Sequence, residues 1–157
     1  MNGQSTYYKV NSGIDLEEIS ISELYDLVWY TWKGDEKLIS DYQQIKGDFS
    51  TMVNRNISNI KDASSLLNLA YYKVNYKSNV IGFTVVDAGK SLLYSFGIRK
   101  EFRKECSVKW IETIKSMMNG IVHCALWNQN QRAIRFLKKN DFKEVRKDKF
   151  VTYLTHL

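Results

Sequence analysis

Ser91-Leu92-Leu93-Tyr94-Ser95-Phe96-Gly97-Ile98 opens the stretch whose reading decides the fold. These eight residues are rich in the apolar and aromatic types that favour a strand. A charged run, Arg99-Lys100-Glu101-Phe102-Arg103, leads from them into residues 104–119. There Val108, Ile111, Ile114 and Met118 recur at helical spacing, and Gly120 closes the pattern. Residues 121–127 are apolar again and short, so they read as a second strand. Strand, helix and strand in this order predict a right-handed parallel crossover, and hence a mixed sheet with helices on its faces.

Upstream, residues 66–74 and 80–87 are two further strand candidates, joined through Asn75-Tyr76-Lys77-Ser78-Asn79 as a hairpin. Ala88-Gly89-Lys90 turns the chain into the strand at 91–98, completing a three-stranded meander. Nearer the N-terminus, Ser20-Ile21-Ser22-Glu23 has the form of a capping box. The helix it starts carries Leu24, Leu27, Val28 and Trp32 on one stripe, with Gly34 as its stop. A second helix is expected over 35–47, with Leu38, Ile39, Tyr42 and Ile45 inward. Residues 48–62 read equally as a loop or a short helix, and 7–10 as a short strand. Downstream come a helix over 130–140 carrying Ala133, Ile134 and Leu137, and strands at 142–146 and 150–154. The predicted order is β-α-α-β-β-β-α-β-α-β-β, an α/β (mixed α+β) sheet with a central parallel pair in one domain over 1–157.

The chain has 157 residues, 44% of them hydrophobic, which excludes a wholly disordered polypeptide and suits one compact core. No apolar run reaches the ~20 residues needed to span a bilayer. The N-terminus lacks the basic-then-apolar order of a signal peptide. A protein neither secreted nor membrane-bound is therefore expected. Two cysteines, Cys106 and Cys124, make neither a disulfide framework nor a complete zinc site, so no metal is expected. Net charge is +6 and unevenly placed. Residues 1–78 hold 8 basic and 10 acidic side chains, whereas 79–157 hold 15 and 7. The basic half suits an anionic cofactor, an acidic protein surface or non-specific nucleic acid, or else simply keeps helices solvated.

Three segments, taken in order, resemble the GCN5-related N-acetyltransferase (GNAT) family. Val80-Ile81-Gly82-Phe83-Thr84-Val85-Val86 is similar to the family's third strand, often written "vvGf". Ile98 to Val108 is similar to its "V-x-p-e-y-R-g-k-G-x-G" segment, and Asn130 to Phe142 to "N-x-x-A-i-x-f-Y-x-k-x-G-F". The resemblance is carried by residues 80–146. It implies that backbone amides at a helix start cradle the pyrophosphate of acetyl-CoA, aided by the helix dipole. On that alignment the cofactor-binding residues are Arg99, Arg103, Lys104, Cys106, Val108 and Asn130, the last against pantetheine.

The departures are equally specific. Cys106 and Val108 stand where the family has glycines, and Glu105 adds a negative charge beside them. Leu137 stands where many members have a tyrosine acting as general acid, and leucine has no proton to give. Glu101-Phe102-Arg103-Lys104 and Ile134-Arg135-Phe136-Leu137-Lys138 also resemble the acetyltransferase-like internal virion proteins of short-tailed phages. That resemblance implies a virion or virion-delivered component, in the virion or host cytoplasm, with other virion proteins or a second copy as partner. Its acetyl-CoA site would be degenerate, with cofactor absent or weakly held. The alternative is an active acyl-CoA-dependent N-acetyltransferase acting on a protein or small amine.

For that alternative the catalytic candidates are Glu101 as a general base and His123 as an acid or base. Strand alternation sends His123 and Cys124 to opposite faces, so they form no dyad. Cys106, at a helix start among basic residues, has either a lowered pKa or simply a tolerated glycine position. The aromatics Tyr25, Trp29, Tyr30 and Trp32 offer either a partner surface or an acceptor wall. If the strands at 91–98 and 121–127 part to leave an open groove, the enzyme reading gains.

Overall fold

The computed structural model describes residues 7–9, 13–35, 37 and 49–157. Eight strands form one sheet: β1 (Tyr7–Lys9), β2 (Ile14–Ile19), β3 (Ala70–Tyr76), β4 (Asn79–Asp87), β5 (Leu92–Ile98), β6 (Val122–Trp127), β7 (Lys143–Lys147) and β8 (Val151–His156). Their spatial order is β1-β2-β3-β4-β5-β6-β8-β7. Every pairing is antiparallel except β5 with β6, which lie parallel across α3 (Arg103–Met117). The other long helices among the described residues are α1 (Ile21–Trp32), α2 (Phe49–Ala63) and α4 (Gln131–Lys139). Among the described residues no helix is long and apolar enough to cross a membrane.

The predicted crossover, the mixed sheet and its central parallel pair are all present. Ser20 caps α1 as expected, accepting from the Glu23 backbone while Glu23 returns to the Ser20 amide. Of residues 48–62, open in the sequence, those from Phe49 on are helical because Met52, Val53, Ile57 and Ile60 form a buried stripe at helical spacing. The helix expected over 35–47 lies outside the described residues, apart from Asp35 and Lys37. The expected five-residue hairpin connection is a two-residue turn: Lys77 and Ser78 both take positive φ (48° and 66°), matching the strand twist. Residues 66–69 precede β3 rather than belong to it.

One strand escaped the sequence reading. β2 carries Asp15, Glu17 and Glu18, which mask its alternation of Ile14 and Leu16. It is held by polar cross-strand pairs: Asn75 Nδ2 donates to Asp15 at 2.9 Å, and Lys73 pairs with Glu17 at 3.5 Å.

Each face of the sheet buries its own core. Under α3 and α4 lie Leu93, Trp110, Ile111, Ile114, Val122 and Leu137; under α1 and α2 lie Leu24, Val28, Ile57, Ile60, Phe83 and Val85. β4 contributes to both, and Ile81 through Asp87 are all buried. α3 turns differently from expectation: Val108 is exposed, and Cys106 and Trp110 join Ile111 and Ile114 on the inner face. Trp110 Nε1 donates to Thr84 Oγ1 at 2.9 Å, which settles a buried indole N–H.

Candidate functional site

The parallel pair is brief. β5 and β6 are in register only at Leu92 with His123 and Leu93 with Cys124. Beyond them a bulge makes Tyr94 an extra residue in β5, since Val86 opposes Leu93 and Val85 opposes Ser95. β5 then leaves β6, and a cleft of about 1000 Å³ opens between Tyr94–Ile98 and Ala125–Trp127. Backbone groups on the cleft side of both strands have no strand across from them. Phe96, Trp110 and Phe136 form an aromatic floor; Phe96 stacks on Trp110 with centroids 4.8 Å apart.

One end of the cleft is basic. Arg103, Lys104, Ser107 and Val108 reach it from the first turns of α3, and Asn130 and Arg132 from the start of α4. No side chain caps α3, whereas α1 has its capping box and Asn130 Oδ1 caps α4, accepting from Ala133 at 3.4 Å. Asp35, buried just past α1, complicates the charge. Its carboxylate is ion-paired to Arg103 and lies 3.9 Å from Arg132. Arg103 also donates through Nε to the Ile98 carbonyl at 2.9 Å, so it braces the turn after β5.

Of the eight residues singled out from sequence, Arg103, Lys104, Val108 and Asn130 line the cleft. Arg99 does not: its guanidinium stacks on the Tyr30 ring at 4.2 Å, donates to the Tyr30 carbonyl and pairs with Glu101 at 2.8 Å. That pairing lowers the Glu101 carboxyl pKa, the wrong direction for a base working near neutrality, and Glu101 is not a lining residue. His123 lies on the far side of the β5–β6 register, with Nδ1 2.9 Å from Thr155 Oγ1. Cys124 is buried on the opposite face of β6, as alternation required.

Cys106 corrects an expectation. Its thiol faces the core, fully buried, and burial first and Glu105 second push its pKa up rather than down. Glu105 is not a cleft residue. Leu137 is likewise fully buried, so position 137 presents no atom to the cleft. Phenols reach the cleft from Tyr94 on β5 and Tyr153 on β8 instead.

The sequence reading missed Asp35, Arg132, Asn56 and Asp62. Arg132 follows Asn130 by two positions on the start of the same helix, which was the available signal. Asn56 and Asp62 flank the apolar stripe of α2, so recognising that helix would have placed them on its cleft side.

No protein-family model matches the sequence, and no curated protein matches it. Solved structures do. An acetyltransferase from Thermus thermophilus superposes with a TM-score of 0.68 at 12% identity, over 97% of this chain and 100% of that one. A Salmonella typhimurium acetyltransferase, which modifies the N-terminal serine of 50S ribosomal subunit protein L7/L12, gives 0.62 at 9%, over 96% and 97%. A Campylobacter jejuni N-acetyltransferase in complex with acetyl coenzyme A gives 0.53 at 14%, over 90% and 96%. At these identities the likeness establishes the fold, which is that of the GNAT proteins.

Proposed function

We propose that this chain is an acyl-CoA-dependent N-acyltransferase, with acetyl the expected group. The observation that carries this reading is the parting of β5 and β6 after two paired positions, with an open cleft of about 1000 Å³ between them. A sheet closes such a gap unless something else uses the cleft-side backbone groups, because unpaired strand edges are costly. An extended ligand rich in amides fits there as a strand substitute.

The residues present fit CoA at the phosphate end. Lys104 and Arg132 supply positive charge, and the uncapped start of α3 supplies amides and a favourable dipole. Asn130 stands at the cleft wall for pantetheine, and Phe96, Trp110 and Phe136 give an apolar floor. Acetyl-CoA, when bound, supplies an activated thioester; the amine nitrogen forms the new C–N bond, the C–S bond breaks, and the amine's proton leaves on the thiol. Tyr94 lies beside the bulge, and burial raises the pKa of its phenol above the ordinary value.

The competing expectation, a virion component with a degenerate site, rests on Cys106, Val108 and Leu137 at the cofactor and acid positions and on the runs at 101–104 and 134–138 that resemble virion proteins. Of those three residues Cys106 and Leu137 are buried in the core, and only Val108 lines the cleft. Calorimetric titration with CoA and acetyl-CoA tests the proposal. Micromolar binding, weakened about tenfold by Lys104→Glu, together with amine-dependent thiol release, is expected. No binding at millimolar CoA would overturn it.

A further inference from the structure

The end of the cleft opposite the phosphate end is built differently. Asn56, on α2, donates through Nδ2 to Ser95 Oγ at 3.3 Å, just beyond the Tyr94 bulge. Its Oδ1 is buried in the cleft wall and has no hydrogen-bond partner among the described residues. A buried amide oxygen in that state is an acceptor waiting for a donor. α2 presents the same face again at Asn59, whose backbone carbonyl accepts from the Tyr94 hydroxyl at 3.2 Å, and at Asp62.

Among the described residues Asp62 is the only carboxylate that lines the cleft, and it forms no ion pair with any of them. Its charge is felt inside the cleft, since it helps raise the Tyr94 pKa. Aromatic residues line the same volume, Trp32, Tyr94, Trp127 and Tyr153 among them, and Tyr94 is the one bonded to α2, through the Asn59 carbonyl. Aromatic faces with one carboxylate attract cations. The cleft is thus polarised, basic where α3 and α4 start and cation-attracting along α2.

We propose that the α2 side of the cleft is a site for a primary amine that carries a second positive charge. The reacting amine donates to Asn56 Oδ1, and the distal ammonium sits against Asp62. The two positions are six residues apart on α2, a rise of roughly 9 Å along the helix axis. Describing this ligand as the acyl acceptor rests on the acyltransferase reading; the amine site itself does not need a cofactor.

The test exploits that independence. The cofactor-free full chain is titrated with hexamethylenediamine and with n-hexylamine, which differ only in the second charge. The diamine is expected to bind about tenfold tighter, a ratio that Asp62→Asn abolishes. Asn56→Leu is expected to weaken both amines, with thermal unfolding confirming that each variant is folded. Equal binding of the two amines, an Asp62→Asn variant that keeps the preference, or no binding of either at millimolar concentration overturns the proposal. If the diamine binds as described while CoA does not, acyl transfer falls and the amine site stands. If CoA binds and the diamine preference is missing, only the amine site falls.

Discussion

Asp35 and Arg103 form a buried ion pair that joins the segment after α1 to the first residue of α3, and the same carboxylate lies 3.9 Å from Arg132 on α4. One carboxylate therefore holds both walls of the basic end of the cleft while cancelling part of their charge. Breaking a buried pair strands the remaining charge, whereas an approaching anion gains whatever positive potential is released.

Asp35→Asn separates these two effects. Stability is expected to fall by about 3 kcal/mol, at the low end for a buried pair because Arg103 keeps some solvent contact. CoA affinity is expected to rise several-fold, and its salt dependence to steepen. Urea unfolding and calorimetry at two ionic strengths measure both. A variant that is destabilised but binds CoA no better would mean Asp35 only organises the arginines.

Both thiols should be inert in the native chain. Burial pushes Cys124 up to about 12 from the ordinary 9.0, with a backbone hydrogen bond from Ala125 opposing weakly, and burial raises Cys106 as well. Folded values above unfolded ones mean stability is intact below about pH 9, where both states are protonated. It is lost as pH climbs toward 12, because only the unfolded thiols ionise there. Ellman's reagent at pH 8 should label neither cysteine until urea unfolds the chain, and the urea midpoint should fall between pH 8 and pH 10. Rapid native labelling of Cys106 would contradict its buried placement.

Much of this fold is legible in sequence because hydrophobic period and short-range turn chemistry act locally. The capping box at Ser20, the crossover from β5 to β6 and the alternation at His123 and Cys124 are of that kind. What local pattern cannot supply is rotation and partnership. α3 has apolar residues on more than one face, so nothing local says that Val108 is outside while Cys106 and Trp110 are inside. The Asp35 pair spans 68 residues and the Asn56–Ser95 contact 39, separations that no window of sequence connects. The cleft residues were half found for that reason: the motif-borne Lys104 and Asn130, but not the residues that tertiary contacts bring to them.

Trp110 and Thr84 show what such a long-range contact is worth. Thr84→Val keeps the shape of the side chain and removes the one partner that a fully buried indole N–H has among the described residues. The expected loss is about 1–3 kcal/mol, read from urea unfolding, with the native tryptophan emission altered. A change below about 0.5 kcal/mol would mean the N–H finds another acceptor.

Gly97 and Gly82 sit where neighbouring groups leave no room for a Cβ. A Cβ at Gly97 would lie 2.7 Å from Trp32 Nε1 and 2.8 Å from Phe83 Cε1, so Gly97→Ala must move the cleft wall. A loss of about 1–3 kcal/mol and a shifted Trp32 environment are expected. At Gly82 the same atom would lie 2.1 Å from the Gly97 carbonyl oxygen, a backbone clash that no rotamer relieves. Gly82→Ala must therefore part β4 from β5 locally and is expected to lower the thermal midpoint strongly; a melt unchanged from the parent would contradict this close approach.

Val108 is the one family departure whose side chain enters the cleft, which makes it the sharpest test of whether the departures matter. It is 55% exposed, so truncation leaves no cavity in the core. Val108→Gly removes the branched side chain from the wall beside Lys104 and Ser107. Because Gly is a poorer helix former than Val, α3 should lose a few tenths of a kcal/mol. If Val108 narrows the path of a bound phosphate chain, CoA should bind several-fold tighter to the variant despite that loss. Val108→Ala, a better helix former with a smaller side chain, should tighten binding without the stability penalty. Calorimetry on the pair separates space from helix propensity: affinity rising in both variants assigns the effect to space. Affinity unchanged in both would show that the phosphates pass elsewhere along the cleft.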